Sequence, residues 1–164
     1  VRKQPTYEAC AWRSVMCSSV LAPTFGRDGL FTLGYLGYVD SVGYLFLCDR
    51  SADVIISGGV NIYPAKIEAA LLGLPFVADA CVIGVPNDEW GEEVRALVQL
   101  VSRVDMPDED EARREITAHC RRELAGYQVP REVEFRAELP RTEVGKIARR
   151  LLRDPYWKGR SRRV

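Results

Sequence analysis

Residues 54–72 read VIISGGVNIYPAKIEAALL and place a strand, a turn and a helix in direct succession. The stretch begins with a β-branched apolar run, which predicts a short strand. Gly58 and Gly59 permit positive φ angles, either for a plain tight turn or for a close approach by a ligand or another backbone. Pro64 suits the first turn of a helix, which we expect to end at Gly73. The stretch therefore predicts a fold that mixes helices and strands.

The rest of the chain carries further segments of these two kinds. Two apolar segments at 30–39 and 44–48, separated by four turn-type residues, predict a β-hairpin. The other predicted elements are strands at 78–85 and 94–101, a turn and short strand at 129–135, and helices at 107–124 and 146–153. Residues 1–24 show no sustained period and are interpreted as a poorly specified extension. We therefore predict an α+β fold: an N-terminal β-hairpin and hinge, then a small domain with a two- to three-stranded sheet flanked by helices.

The composition favours a packed core and excludes several classes of function. Of 164 residues, 47% are apolar and 28% are charged. The net charge is zero, with 23 basic and 23 acidic residues, so no global field favours nucleic acid or a membrane surface. Five widely spaced cysteines without a CxxC pair, and a single histidine, predict reduced thiols and no metal site. No apolar stretch is long enough to span a membrane, and we predict a cytoplasmic location.

The polar segment 139–150, LPRTEVGKIARR, centres on Lys146. Pro140 and Gly145 are typical of a loop. The predicted basic helix that follows would turn three apolar residues inward: Ile147, Leu151 and Leu152. A lysine on a flexible loop is a mobile point charge that can reach a phosphate or a carboxylate and withdraw again. The spacing alone nevertheless favours a solvated basic C-terminus over such a function.

Two other side chains admit two interpretations each. Trp90, in the loop 86–92, either caps the core or faces a ligand, and the sequence leaves both open. His119 lies beside the apolar face of the predicted helix 107–124. A single histidine in that position is more often a structural side chain than a ligand, so the sequence favours a structural role.

Four segments share the order and spacing of known motifs. They are residues 40–50 (DSVGYLFLCDR), 55–68 (IISGGVNIYPAKIE), 82–92 (VIGVPNDEWGE) and 139–149 (LPRTEVGKIAR). Together they resemble the adenylate-forming (AMP-binding) superfamily, and within it the acyl-CoA synthetases or fatty-acid–CoA ligases most closely. The resemblance extends over about residues 25–156 and is specific to the small C-terminal domain with the last strands and hinge of the large domain. It predicts a remnant hairpin of the large domain at 25–49, the C-terminal domain at 50–157 and a basic tail at 158–164.

The resemblance implies a two-step reaction. A carboxylate attacks the α-phosphate of ATP to give an acyl-adenylate and pyrophosphate, and the thiol of CoA then displaces AMP after the small domain has rotated. ATP/AMP and CoA would be substrates of the full enzyme, with Mg²⁺ accompanying ATP, and none would be held tightly by this chain alone. The implied partners are a large N-terminal adenylation domain, CoA and a carboxylic acid substrate, with no nucleic acid and no membrane span.

The resemblance also implies roles for five residues. Lys146 matches the catalytic lysine that bridges ATP phosphate and substrate carboxylate oxygens in the first step. Asp49 matches the hinge residue, and Arg50 matches the arginine that contacts the nucleotide ribose. Gly58 and Gly59 match the loop that lines the CoA pantetheine channel, where side chains would block the tunnel.

Two positions depart from the family pattern. Tyr35 stands where the family carries an aspartate that holds the ribose hydroxyls of ATP, and one phenolic hydroxyl cannot replace a bidentate carboxylate. Lys66 stands where an acidic residue is common. Because Tyr35 replaces this aspartate, we expect a weakened affinity for the nucleotide.

The segment before residue 25 shows no phosphate-binding loop, acyl pocket or adenine site, so we expect the chain to be inactive alone. We predict that it is the C-terminal portion of an ATP-dependent acyl-CoA synthetase and supplies the adenylation lysine and CoA channel. The alternative is a non-catalytic stand-alone module, or a gene remnant, that binds a partner adenylation domain or CoA. A third hypothesis makes Lys146 a target of regulatory acetylation. The acyl substrate is not predicted, because the acyl pocket would belong to the large domain.

Overall fold

The computed structural model describes residues 9–12, 31–102 and 108–160. The chain divides into two compact units, Val1–Ala52 and Asp53–Val164. The division falls shortly after Asp49, the residue for which a hinge role is predicted. Within the described residues, no helix is long and apolar enough to cross a membrane.

The first unit is a three-stranded antiparallel sheet. Its strands are β1 (Ala9–Trp12), β2 (Phe31–Val39) and β3 (Leu45–Arg50), in that order. The turn between β2 and β3 is closed by Asp40, whose carboxylate accepts hydrogen bonds from the backbone N–H groups of Val42 and Tyr44, both at 2.9 Å. The predicted hairpin is therefore confirmed, and β1 adds a strand within the region for which no element was predicted.

The second unit is built on a five-stranded sheet. Its strands are β4 (Ile55–Ser57), β5 (Val60–Ile62), β6 (Val77–Asn87), β7 (Gly91–Leu100) and β8 (Glu132–Phe135). The order is β5-β4-β7-β6, with β8 also paired to β7. The β7–β8 pair is parallel, whereas the other pairs are antiparallel.

Among the described residues, the second unit contains three α-helices: α1 (Pro64–Leu72), α2 (Glu109–Glu123) and α3 (Arg149–Arg153). Pro64 opens α1, as its missing N–H group allows. Asp108 caps α2, since its carboxylate accepts the N–H of Glu111 at 2.8 Å. Acidic residues fill the first turn of α2 and Arg121 and Arg122 its last turn, which matches the helix dipole.

Both faces of the sheet are buried, which explains why β6 is a nearly continuous apolar run and why apolar residues at 94 and 96–98 fill the middle of β7. Alternate residues of a strand point to opposite faces. Val82 of β6 packs with Ile67 of α1 and Ile116 of α2 in the main core. The neighbouring residues of β6 pack on the other face against residues of the C-terminal segment, in a second cluster: Cys81, Ile83, Val85, Leu97, Leu139 and Leu152.

The α+β class is confirmed, but the predicted sheet of two or three strands is too small. The missed strand β5 has only three residues and directly follows the turn at Gly58 and Gly59. Three residues are too few to show an alternating pattern, and β5 exists because Ile55 of β4 pairs with Ile62.

The predicted basic helix 146–153 is shorter than expected. It begins only at Arg149, because Arg141 and Ile147 form an antiparallel bridge and the N–H of Ala148 donates to Pro140 O at 2.7 Å. Leu151 is 63% exposed, which corrects its predicted inward orientation. In a helix of one turn, two adjacent residues point about 100° apart, so only Leu152 reaches the core.

Candidate functional site

Lys146 closes a tight hairpin rather than an open loop. The N–H of Thr142 donates to Lys146 O at 2.7 Å, and the N–H of Gly145 donates to Thr142 O at 2.8 Å. Gly145 has a φ of 80°, and no atom lies within 4 Å of an added Cβ. Glycine is therefore required here by the backbone conformation and not by crowding.

The side chain of Lys146 is exposed and makes no ion pair with any residue in the described part of the chain. A positive charge without a partner is available to an incoming anion. The turn thus presents Lys146 as a single ammonium group at the end of a short hydrogen-bonded hairpin.

The segment after the hairpin is fixed by a half-buried charged cluster. Arg149 pairs with Glu68 of α1 at 2.9 Å and donates to Val82 O of β6 at 2.6 Å. Glu68 in turn accepts the N–H of Val82 at 2.7 Å. Burial alone would lower the pKa of the Arg149 guanidinium, but the nearby negative charges, Glu68 first, outweigh it and the pKa is raised. Arg149 therefore stays charged and joins α3 to the sheet.

Cys81 lies next to this cluster and is fully buried. Burial raises the pKa of its thiol to about 12, so the thiol is protonated at neutral pH and is not a nucleophile. Cys48, Cys81 and Cys120 are all free thiols. Among the residues that the structure describes, no group of three His, Cys, Asp or Glu side chains is placed to hold a metal ion.

Gly58 and Gly59 form the turn between β4 and β5, with φ angles of 56° and 78°. An added Cβ on Gly58 would lie 2.7 Å from Cε3 of Trp90, whereas one on Gly59 would meet nothing within 4 Å. The N–H of Gly58 also donates to Trp90 O at 2.8 Å. Both glycines are thus required by positive φ, and Gly58 also leaves space for an indole ring.

A cleft of about 670 Å³ opens beside this turn. It is lined by residues of β4, β5, β7, the C-terminal half of α2 and the loop before β8: Ser57, Gly58, Val60, Trp90, Val94, Thr117, Arg121, Gly126, Tyr127, Val129, Pro130 and Arg131. Gly58 is the predicted site residue that lines it, and Lys146 does not. The structure therefore places the lysine hairpin and the glycine turn in the same unit but not in the same cleft.

The cleft combines aromatic faces with positive charge. Trp90 is 42% exposed and Tyr127 is 55% exposed. Neither Arg121 nor Arg131 forms an ion pair with another described residue. A ligand with a flat ring and phosphate groups would find complementary partners for both parts in this cleft.

Trp90 lines this cleft and also packs against Gly58. Trp90 therefore makes a packing contact and also lies where a ligand could reach it, so the two interpretations of its role, core cap and ligand-facing ring, stay open together. His119 has an ordinary structural contact, since its Nε2 lies 3.0 Å from Ala70 O and donates to it. This contact agrees with the structural role that the sequence favours.

Asp49 and Arg50 end β3 in the first unit. The carboxylate of Asp49 accepts the N–H of Arg50 at 2.8 Å. Tyr35, opposite Arg50 on β2, accepts from Arg50 Nε at 3.2 Å and Nη2 at 3.1 Å through its hydroxyl. The guanidinium carbon lies 5.4 Å from the centre of the Tyr35 ring. Tyr35 therefore holds the arginine that is predicted to contact a nucleotide.

Sequence reasoning missed Arg121, Tyr127 and Arg131 as candidate ligand contacts. Arg121 belongs to α2, and the other two lie in the loop before β8, far along the chain from Gly58. No local motif joins them. The available signal was a set of aromatic and basic residues within and just after the predicted helix 107–124, and such residues are common on any surface.

Residues 66–146 match the family model described as the AMP-binding enzyme C-terminal domain. Lys146 is the last residue of this match, whereas Asp49, Arg50, Gly58 and Gly59 lie before it. The matched segment covers most of the second unit, from α1 to the lysine hairpin.

Two of the named relatives are CoA ligases. The chain is 40% identical over 130 residues to long-chain-fatty-acid–CoA ligase FadD13 of Mycobacterium tuberculosis, covering 79% of this chain and 24% of the relative. It is 46% identical over 127 residues to 2-succinylbenzoate–CoA ligase of Geobacillus kaustophilus, covering 77% of this chain and 25% of the relative. The chain thus spans about a quarter of the length of these relatives.

The fold is shared with solved structures of such enzymes. One is the o-succinylbenzoate CoA synthetase MenE of Bacillus subtilis in complex with its acyl-adenylate intermediate, with a TM-score of 0.70 and 36% identity. The similarity covers 87% of this chain and 27% of MenE. The family match, the named relatives and the shared fold agree, and the chain therefore carries a C-terminal domain of the adenylate-forming, AMP-binding enzymes.

Proposed function

We propose that this domain serves an ATP-dependent acyl-CoA synthetase, in which a carboxylic acid, ATP and CoA give acyl-CoA, AMP and pyrophosphate. The domain would supply Lys146 to the first step and a binding cleft for CoA to the second. A larger adenylation domain would hold the acid and ATP, with Mg²⁺ bound to the ATP phosphates. The compartment that we propose is the cytoplasm, which agrees with free thiols at Cys48, Cys81 and Cys120.

The observation that carries this proposal is the exposed ammonium group of Lys146. When a carboxylate attacks the α-phosphate, negative charge is shared among the carboxylate and phosphate oxygens in the transition state. A positioned cation stabilises that charge most where water is excluded. Lys146 suits this role because no described carboxylate forms an ion pair with it and because it directly follows the turn of an exposed hairpin that can enter a cleft on another domain.

The hairpin is hydrogen-bonded and attached to the sheet, so loop flexing is a poor means of moving Lys146. We propose that the lysine enters and leaves the active site when the whole second unit rotates. Rotation of a domain about a few hinge residues is a common way to bring one set of residues into an active site and remove another. Asp49, close to the division between the two units, is the proposed hinge residue.

The cleft beside Gly58 is the proposed site for CoA. CoA carries an adenine ring, three phosphate groups and a slim pantetheine arm that ends in the thiol. Trp90 and Tyr127 offer faces for the ring, and Arg121 and Arg131 offer cations for the phosphates. The pantetheine arm would pass the glycine turn, where Gly59 has open space in place of a side chain.

One observation favours a second candidate function, which is CoA binding without adenylation. The hydroxyl of Tyr35 accepts two N–H groups of Arg50 and gives no carboxylate to the ribose of a nucleotide. A chain with this pair would bind CoA in the cleft of the second unit yet contribute weakly to ATP binding.

A reconstitution experiment tests the proposal. The chain would be mixed with the adenylation domain of the related Mycobacterium tuberculosis ligase, prepared without its own C-terminal domain. A long-chain fatty acid, ATP and CoA would be supplied, and acyl-CoA would be measured by chromatography. The proposal predicts acyl-CoA only when both proteins are present.

Two controls separate the candidate functions. Isothermal titration of CoA into the chain alone tests the cleft. In the mixture, Lys158→Ala is the control for Lys146→Ala, because it removes an exposed lysine outside the hairpin. CoA binding without any acyl-CoA formation would favour the second candidate. If CoA does not bind and the mixture stays inactive, both candidates are wrong.

A further inference from the structure

We propose that Arg141 is a positioning residue for Lys146 and that it acts by tying the lysine hairpin to strand β6. The inference rests on the proposed function, in which Lys146 acts on ATP and a carboxylate. It concerns a contact that no motif of the sequence singled out. Its tests include measurements on this chain alone, which do not depend on that function.

Arg141 makes two contacts with different partners. One terminal nitrogen, Nη1, donates to the backbone carbonyl of Gly145 at 2.7 Å. The other, Nη2, forms an ion pair with the carboxylate of Asp79. Gly145 directly precedes Lys146, and Asp79 lies on β6. A single guanidinium therefore connects the residue before the lysine to the main sheet.

Asp79 is itself held in place. Its side chain is 17% exposed, and its Oδ1 accepts the N–H of Ala80 at 2.9 Å. The anchor is therefore a fixed carboxylate on a strand of the main sheet. Arg141 reaches its two acceptors with two separate terminal nitrogens of a planar fork, whereas a lysine has a single ammonium nitrogen.

The segment that follows Lys146 is also bound to β6. Arg149 donates to the carbonyl of Val82 on β6 and pairs with Glu68. Lys146 is thus bracketed by two arginines, each bound to β6, within a hairpin closed by its own backbone hydrogen bonds. This arrangement makes the lysine move with the domain as one body, and it sets the height and direction of the ammonium group above the sheet.

Replacing Arg149 and replacing Arg141 should have different effects on the fold. Arg149 is largely buried, so its removal would disturb the fold and the lysine together. Arg141 is 49% exposed, and exposed ion pairs contribute little to global stability. Replacing Arg141 therefore changes the position of Lys146 while the domain stays folded.

The first test measures backbone order in the chain by amide hydrogen exchange. In Arg141→Ala, the amides of Thr142 and Gly145 should exchange on the order of tenfold faster, because the hairpin opens locally. Asp79→Ala should give the same effect through the other end of the contact. Arg136→Ala is the matched control, since Arg136 is 46% exposed and pairs with Glu134 at 2.5 Å. Unchanged exchange at both amides in the Arg141 and Asp79 variants would overturn the proposal.

The second test measures function in the reconstituted mixture. Arg141→Ala should lower pyrophosphate release by at least about tenfold, since small displacements of a catalytic group are costly. Arg141→Lys should fall between it and the native chain, because a lysine keeps the charge but has one nitrogen in place of the two that reach Gly145 and Asp79. Thioester formation from preformed acyl-adenylate and CoA should be nearly unchanged, which general damage to the domain would not allow.

The outcomes distinguish this inference from the proposed function. If Lys146→Ala does not lower pyrophosphate release, the proposed function is wrong, whatever Arg141 does. If Lys146→Ala abolishes release and Arg141→Ala has no effect on it, the positioning role is wrong and the proposed function stands.

Discussion

Replacing Gly58 with alanine should destabilise the second unit and displace Trp90. The φ of 56° at this position is left-handed, and a residue with a Cβ pays about 1–2 kcal/mol there. The new Cβ would also lie 2.7 Å from the Trp90 ring. Overpacking of this kind costs about 1–3 kcal/mol, and the 42% exposure of Trp90 lets the ring move outward, which favours the lower end. We therefore expect a total loss of about 2–3 kcal/mol.

Gly59→Ala is the matched comparison. Its φ of 78° imposes a similar backbone cost, but no atom lies within 4 Å of the new Cβ. The effect of alanine on the unfolded chain is the same in both variants and cancels. The difference between the two variants, about 1 kcal/mol, thus isolates the contact with Trp90.

Thermal unfolding followed by circular dichroism would measure this difference. A loss of 1 kcal/mol lowers the Tm of a unit of this size by roughly 4 °C, so Gly58→Ala should melt about that much below Gly59→Ala. Near-ultraviolet circular dichroism should also change only in Gly58→Ala, since its tryptophan environment is altered. Equal Tm values, or a lower Tm for Gly59→Ala, would refute the packing of Trp90 against Gly58.

Three further predictions follow from the charged and buried groups. Arg149→Ala should lower the free energy of unfolding by about 3 kcal/mol in urea titrations, because it removes the cation that pairs with the largely buried carboxylate of Glu68. Arg150→Ala should cost less than about 1 kcal/mol, because Arg150 is 82% exposed in its ion pair. Burial raises the pKa of Cys81 from 9.0 to about 12, so above pH 9 the thiol loses its proton in the unfolded chain but keeps it in the folded chain. The native chain should therefore lose about 1.4 kcal/mol of stability per pH unit between pH 9 and pH 12, relative to Cys81→Ala, and show no such slope below pH 9. Unfolding curves of both proteins at about pH 8, 10 and 11 would check this. Arg131→Ala should weaken CoA binding by about tenfold in calorimetry, because it removes a cation for the phosphates. Arg122→Ala should leave the affinity unchanged, because Arg122 lies outside the cleft. Equal affinities in the two variants would show that Arg131 does not bind phosphate.

The long elements could be predicted from local pattern. The hairpin of β2 and β3, the helices α1 and α2 and the strands β6 and β7 each contain enough residues for a period, a cap or a turn signal to appear. Their predicted bounds differ from the observed ones by only a few residues. The apolar residues of β6 and β7 indicated strands, and the two core clusters show that these strands are buried on both faces.

The elements that depend on distant pairing could not be predicted in this way. Strand β5 exists because a three-residue segment folds back on β4, and the hairpin around Lys146 exists because Arg141 pairs with Ile147. Locally, residues 146–153 favour a helix, and the tertiary pairing overrides that preference until Arg149.

The candidate site was predicted unevenly for the same reason. Lys146, Gly58 and Gly59 belong to contiguous motifs, so sequence could single them out. The cleft joins Trp90 to residues of α2 and of the loop before β8, and the contact of Arg141 with Asp79 spans 62 positions of the chain. Such contacts are set by the packing of the whole unit. The Tyr35–Arg50 contact lies between these cases, since the unusual tyrosine was evident in the sequence but its hydrogen bonds to Arg50 were not.

The proposed role of Lys146 is to supply the cation for adenylation. A single-turnover measurement of acyl-adenylate formation in the reconstituted mixture tests it most directly, with Lys146→Ala compared with Lys158→Ala. We expect a loss of at least about a hundredfold for Lys146→Ala, as for removal of other groups that stabilise charge in a transition state, and a native rate for Lys158→Ala. Native rates of acyl-adenylate formation with Lys146→Ala would contradict it.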